Sequence, residues 1–172
     1  QRQMCIRDSY YKERKRQLKG AIIFMANKQD VVNVLNEQVA NWTVLYTKIH
    51  NFHWFVKGPH FFSLHVKFEE LYNEASEHID ELAERILAIG GSPVATLKNS
   101  LDVAIVDEAE SEKTAEDMVQ SISKDFTNIS EQLAKAVEVA GDAEDDVSQD
   151  MLIALQTSVD KHNWMFQSFL GK

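Results

Sequence analysis

Four long stripes of apolar residues at helical spacing, with few breakers between them, fix the fold class of this 172-residue chain. From Asp30 onward, Val31, Leu35, Trp42, Leu45, Ile49, Phe52 and Val56 recur at intervals of three, four and seven, as on one face of a long amphipathic helix. Gly58-Pro59 ends that helix, because proline disfavours helical geometry at the residue before it. A second stripe, Leu64, Phe68, Leu71, Ala75, Ile79, Leu82 and Ile86, runs to Gly90-Gly91. The third is Met118, Ile122, Phe126, Ile129, Leu133, Ala136 and Ala140, broken at Gly141. Asp142 and Asp145 suit the start of a fourth helix, with Val147, Met151, Leu155, Val159, Met165/Phe166 and Phe169 as its stripe. Between the second and third, Ser92 to Asp107 holds Pro93 and a short helix around Leu97–Ala104. Two tight turns and one long middle connection predict an all-α, single-domain four-helix bundle with one crossover.

Composition narrows the class further. A single cysteine, Cys5, excludes an internal disulfide framework and any multi-cysteine metal site. The longest apolar run, Ala21 to Ala26, is too short for a membrane span or a secretory signal core, so a cytoplasmic protein with no membrane partner is expected. The net charge of −9 is uneven: residues 1–24 carry +5 and residues 25–172 carry −14. Because helical patterning opens just after Met25, residues 1–24 are read as a non-native leader or disordered basic arm, and residues 25–172 as the folded domain.

His50, His53, His60, His65 and His78 crowd into 29 residues among Glu69, Glu70, Glu74, Glu77, Asp80, Glu81 and Glu84. Imidazole with carboxylate is a ligand set for iron, manganese or zinc, although acids on a helix are ordinarily just solvated. Helical geometry sorts them. At ~100° per residue, Glu69, Asp80 and Glu84 lie about 40°, 60° and 100° from His65, on a polar stripe with Tyr72, Asn73 and Ser76 that faces away from the apolar one. Asp80 is about 22 Å along the axis from His65 at ~1.5 Å per residue, so one helix cannot close both on one ion. The Glu-x-x-His motif of intramolecular di-iron bundles is absent. Two copies of this helix packed antiparallel about a two-fold axis would set His65 and Glu69 of one against Asp80 and Glu84 of the other, in two equivalent sites. His53, near the end of the first helix, could complete the set.

The segment "KIHNFHWFVKGPHFFSLHVKFEELYNEASEHIDELAERILAIGGSP", Lys48 to Pro93, resembles the signature region of the Dps family, the DNA-binding proteins from starved cells or miniferritins. "DDVSQDMLIALQTSVDKHNWMFQSFLGK", Asp145 to Lys172, resembles the fourth helix of its Gram-positive-type branch. The resemblance covers Met25 to Lys172. It implies a ferritin-like bundle and a homododecameric shell built from two-fold dimers. The shell would act as a ferroxidase, oxidising Fe(II) preferably with hydrogen peroxide and storing ferric mineral, which protects DNA from oxidative damage. The family's metal positions fall on His53, His65, Asp80 and Glu84. Its further ligand, commonly Asp, falls on Glu69, one methylene longer. Trp54 falls on a Trp beside the centre able to take up an oxidising equivalent, and Asp146 and Asp150 fall on acids lining three-fold pores. Asp142 could stand in for a further pore acid whose place is taken by Gly141.

Two rival readings remain open. A nucleoid-coating protein would bind DNA through Lys12, Arg14, Lys15, Arg16 and Lys19, because the acidic body repels phosphate; without residues 1–24 direct DNA binding is not expected. A shell that buffers Zn2+ or Mn2+ would use the same ligands as iron. His162, on the fourth apolar stripe, reads as a core or interface histidine, His50 as a neighbour of the ligands, and His60 and His78 as non-ligands.

Overall fold

In a computed structural model of the chain, five helices follow one another: α1 (Arg2–Phe55), α2 (Phe61–Ala88), α3 (Leu97–Val103), α4 (Ala115–Asp142) and α5 (Asp146–Phe169). Residues 27–110 and 112–172 are described in full and residues 2–26 by backbone alone, so the reading of residues 1–24 lies outside the fully described part. Among the described residues there is no strand, and no helix is long and apolar enough to cross a membrane.

The four long helices and the short fifth cover the apolar stripes and the middle connection of the sequence. α1 packs on α2, α3 and α4, and α4 packs on α5. Trp42, Phe52, Phe68, Phe126 and the aliphatic residues of the stripes fill the centre. Gly58, at φ +97°, turns the chain between α1 and α2, and Phe61 N–H donates to its carbonyl at 3.1 Å. α2 ends at Gly90, at φ +74°, with Gly90 N–H to Leu87 O and Gly91 N–H to Ile86 O, both 2.8 Å. These bonds satisfy carbonyls that the last helical turn leaves open.

Two asparagines of α1 hold the long crossover. Asn36 donates to Ser92 O at 3.0 Å and accepts from Val94 N–H at 2.7 Å. Asn41 accepts from Ile105 N–H at 2.9 Å and donates to Gln132 of α4 at 2.6 Å. α4 starts in a capping box between Thr114 and Asp117, which holds the Asp117 carboxyl below its ordinary range.

Two sequence expectations need correction at the α4–α5 junction. Gly141 does not break the helix: α4 runs on to Asp142, and the turn is Ala143 to Asp145. Asp142 is therefore in the last turn of α4 and not at the start of the fourth helix. The fourth stripe also starts out of phase. Val147 is exposed and Met151 half-buried, whereas Leu152, Leu155, Val159, His162 and Phe166 form the buried face.

Candidate metal centre

The end of α1 and the start of α2 bring His53 and His65 ring to ring. Their centroids are 3.7 Å apart and their planes 20° from parallel. Each ring is fixed by the other residue's backbone. His53 Nδ1 bonds His65 O at 2.8 Å, and His65 Nδ1 bonds His53 O at 2.9 Å. A carbonyl only accepts, so both Nδ1 atoms carry the hydrogen, which leaves Nε2 of each ring as the nitrogen free to ligate. Metal-binding imidazoles are held in this way, the non-ligating N–H given to a backbone carbonyl so that tautomer and orientation are set. His53 is only 9% exposed, so its ring has little freedom to leave the pair.

The other expected ligands lie along α2. Glu69 is one turn beyond His65, while Asp80 and Glu84 follow several turns later, and all three are exposed. The structure thus joins His53 with His65 and leaves Asp80 and Glu84 apart from them. Among the described residues of the single chain, no three His, Cys, Asp or Glu side chains converge on one metal position. Trp54 is 66% exposed beside His50, 5.4 Å between ring centroids. Asp146 and Asp150 are exposed in the first two turns of α5, where carboxylates also complement the helix dipole.

A ring of aromatic groups adjoins the histidine pair. Tyr72 of α2 sits edge-on to His53, at 5.3 Å and 90°, and is stacked on His50, at 3.8 Å and 22°. His50 Nδ1 is tied to Tyr46 O at 3.0 Å. Burial, with help from the charge of Glu69 and from Tyr46, pushes the Tyr72 phenol above its ordinary value.

A polar cluster that the sequence reading did not find joins α2 to α5. Glu74 accepts from His162 Nε2 at 2.7 Å, from His78 Nε2 at 3.3 Å and from Ser158 Oγ. The His162 and His78 bonds together with that of Ser158 outweigh burial and hold the Glu74 carboxyl far below its usual range. The sequence signal was Ser158 and His162, four apart on an otherwise apolar face and opposite a carboxylate. Three turns further along α2, Arg85 donates to Asp145 at 2.5 Å and to Ser148 at 2.8 Å. Burial works to raise the Asp145 carboxyl, but the Ser148 and Arg85 contacts prevail and lower it. A buried ion pair, Lys48 with Asp125 at 2.7 Å, ties α1 to α4; there burial prevails over Lys48 and the Asp125 carboxyl is raised.

Comparison with known proteins agrees with this architecture. Residues 32–172 match the ferritin-like domain family. The chain is 53% identical over 146 residues to DNA protection during starvation protein 2 of Bacillus anthracis, covering 85% of this chain and 99% of that protein. The crystal structure of Dps from Staphylococcus aureus shares 70% identity and a TM-score of 0.82, over 83% of this chain and 95% of that one. Dps from Listeria innocua soaked with zinc shares 45% identity and a TM-score of 0.80, over 83% and 97% of the two chains. The family in general stores iron and protects DNA. By sequence match and by fold together, the chain belongs to the Dps family of ferritin-like proteins.

Proposed function

We propose that the protein is a ferroxidase whose centres form only between two-fold-related chains, and that it stores the ferric product in a homododecameric shell. The observation that carries this reading is the reciprocal clamp of His53 and His65, two imidazoles held with Nε2 free, while no group of three metal-binding side chains forms among the described residues of the single chain. Antiparallel pairing of α2 with its copy sets His65 against Glu84 and Glu69 against Asp80. Each dimer then holds two centres, each drawing His53, His65 and Glu69 from one chain and Asp80 and Glu84 from the other.

Iron is the substrate. Mixed imidazole and carboxylate ligands hold Fe(II) with positions left open and accommodate Fe(III) after oxidation. Two Fe(II) in one centre supply both electrons that hydrogen peroxide needs to become water, which makes peroxide the preferred oxidant and avoids hydroxyl radical. The longer Glu69 reaches the weaker of the two iron positions directly or through water. Trp54, at the rim, accepts a stray oxidising equivalent. Asp146 and Asp150 line three-fold pores that draw cations inward. Protection of DNA then follows from removing iron and peroxide. Direct binding to DNA would fall to the basic residues of 1–24 and does not enter this reading. Zn2+ competes for the same ligands, in keeping with the zinc-soaked relative.

Stopped-flow oxidation of stoichiometric Fe(II), peroxide against oxygen, tests the proposal. His65→Ala and Asp80→Ala should each abolish the fast peroxide-dependent phase. Shells reassembled from a mixture of the two should recover part of it, because some dimers then hold one intact centre. Slow oxidation in the parent protein would overturn the reading in favour of a metal-buffering shell. Activity lost singly but not regained in the mixture would overturn the sharing between chains.

A further inference from the structure

We propose that Tyr72 is the one-electron donor that completes peroxide reduction when a centre holds a single Fe(II). The inference rests on the ferroxidase reading above and adds a redox residue to it. Its basis is placement. Tyr72 is half-buried, one helical turn from Glu69, and its ring stands perpendicular to that of His53, a proposed iron ligand, with 5.3 Å between centroids. On its other side it stacks on His50 at 3.8 Å, and His50 in turn contacts Tyr46 at 4.4 Å and Trp54 at 5.4 Å. Among the described residues Tyr72 is therefore the phenol in ring contact with a ligand, whereas Tyr46 touches His50 and Tyr72 itself, and Trp54 touches His50.

The chemistry requires such a donor. A single Fe(II) gives peroxide one electron, and O–O cleavage then releases hydroxyl radical. A second electron delivered at the same moment takes both oxygens to water. One Fe(II), one phenol, one hydrogen peroxide and one proton from solvent yield one Fe(III), one phenoxyl radical and two waters. The O–O bond of peroxide and the O–H bond of Tyr72 break; the phenolic proton and the solvent proton end in the waters. The next Fe(II) to enter, with one proton, reduces the phenoxyl back to phenol and becomes Fe(III). A phenol keeps its proton at neutral pH, so electron and proton leave together.

The assembled parent protein and Tyr72→Phe, which keeps the ring and its stacking on His50, separate the outcomes. Each is mixed with peroxide at one and at two Fe(II) per centre, then freeze-quenched for electron paramagnetic resonance, with a spin trap in a parallel sample. At two Fe(II), both proteins should oxidise iron rapidly; failure of the parent here overturns the ferroxidase reading itself. At one Fe(II), the parent should show a phenoxyl signal that narrows when ring-deuterated tyrosine is incorporated. Tyr72→Phe should lose that signal and release trapped hydroxyl radical. With fast oxidation at two Fe(II), three results would each overturn the assignment: no organic radical in the parent, an unchanged phenoxyl signal in Tyr72→Phe, or equal hydroxyl adduct in both.

Discussion

At the scale of single residues, hydrogen-bond acceptors decide which imidazole nitrogen is free. His50, His53 and His65 each spend Nδ1 on a backbone carbonyl, whereas His78 and His162 point Nε2 at the Glu74 carboxylate. Nitrogen-15 spectra of the metal-free protein, at a pH where the rings are neutral, should therefore show Nδ1–H tautomers for the first three and Nε2–H tautomers for the other two. An Nε2–H tautomer at His53 or His65 would remove the ligand geometry. Because the acceptors are backbone atoms, His65→Ala leaves His53 oriented. It should still slow stoichiometric iron oxidation by at least about tenfold, since even a partner that only orients a ligand is worth that much. The sequence disclosed the His65, Glu69, Asp80 and Glu84 face because helical angle alone places them together. It did not disclose Glu74, which looked like one acid among many on α2, because its partners Ser158 and His162 lie 84 and 88 residues away.

Among the elements, the contact between α2 and α5 carries polar structure that periodicity could not show, Glu74 with Ser158 and His162 and Arg85 with Ser148. The Glu74 carboxyl is depressed below its ordinary value of 4.5. Its ionised form thus adds stability above that pH, and the contribution is withdrawn as the pH falls below it. Glu74→Gln should lower unfolding stability at neutral pH by about 1–2 kcal/mol, the cost of hydrogen bonds left poorly matched in a partly buried site. Its stability should also fall less steeply in acid than that of the parent, as denaturant titrations at stepped pH would show; parallel curves would mean that Glu74 does not anchor α5. The turn into α5 is the second such feature. Asp145 N–H donates to Ala140 O and Glu144 N–H to Gly141 O, both at 3.0 Å, with Glu144 at φ +56°. That position favours glycine. Glu144→Gly should accordingly stabilise the protein by roughly 0.5–1 kcal/mol, read as a higher denaturation midpoint. The existence of each long helix was legible from the stripes, but the end of α4 was not, because Gly141 sits within its last turn. The phase of α5 was not, because Val147 shares the helical repeat yet points to solvent.

For the whole molecule, the register of the proposed two-fold dimer can be checked at residues that play no part in the chemistry. The offset that sets His65 against Glu84 and Glu69 against Asp80 also sets Phe62 against Leu87. Both are large apolar side chains left open on the single chain, 84% and 60% exposed. Within one chain they stand on the same helix, about 37 Å apart at ~1.5 Å per residue, whereas a disulfide needs Cα atoms within about 7 Å. Phe62→Cys with Leu87→Cys, in a Cys5→Ser background, can therefore join only two chains. Mild oxidation should convert the protein to a covalent dimer on a non-reducing gel, because both crossings of an isologous interface link the same pair of chains. Either single-cysteine variant should remain a monomer there. Free thiols and monomer from the double variant would refute this register, and with it the shared centre. A ladder of larger species would place Phe62 and Leu87 in contacts between dimers. Reversal by reductant, with iron oxidation retained in the cross-linked form, would show that the bonded arrangement is the one in which the centres assemble.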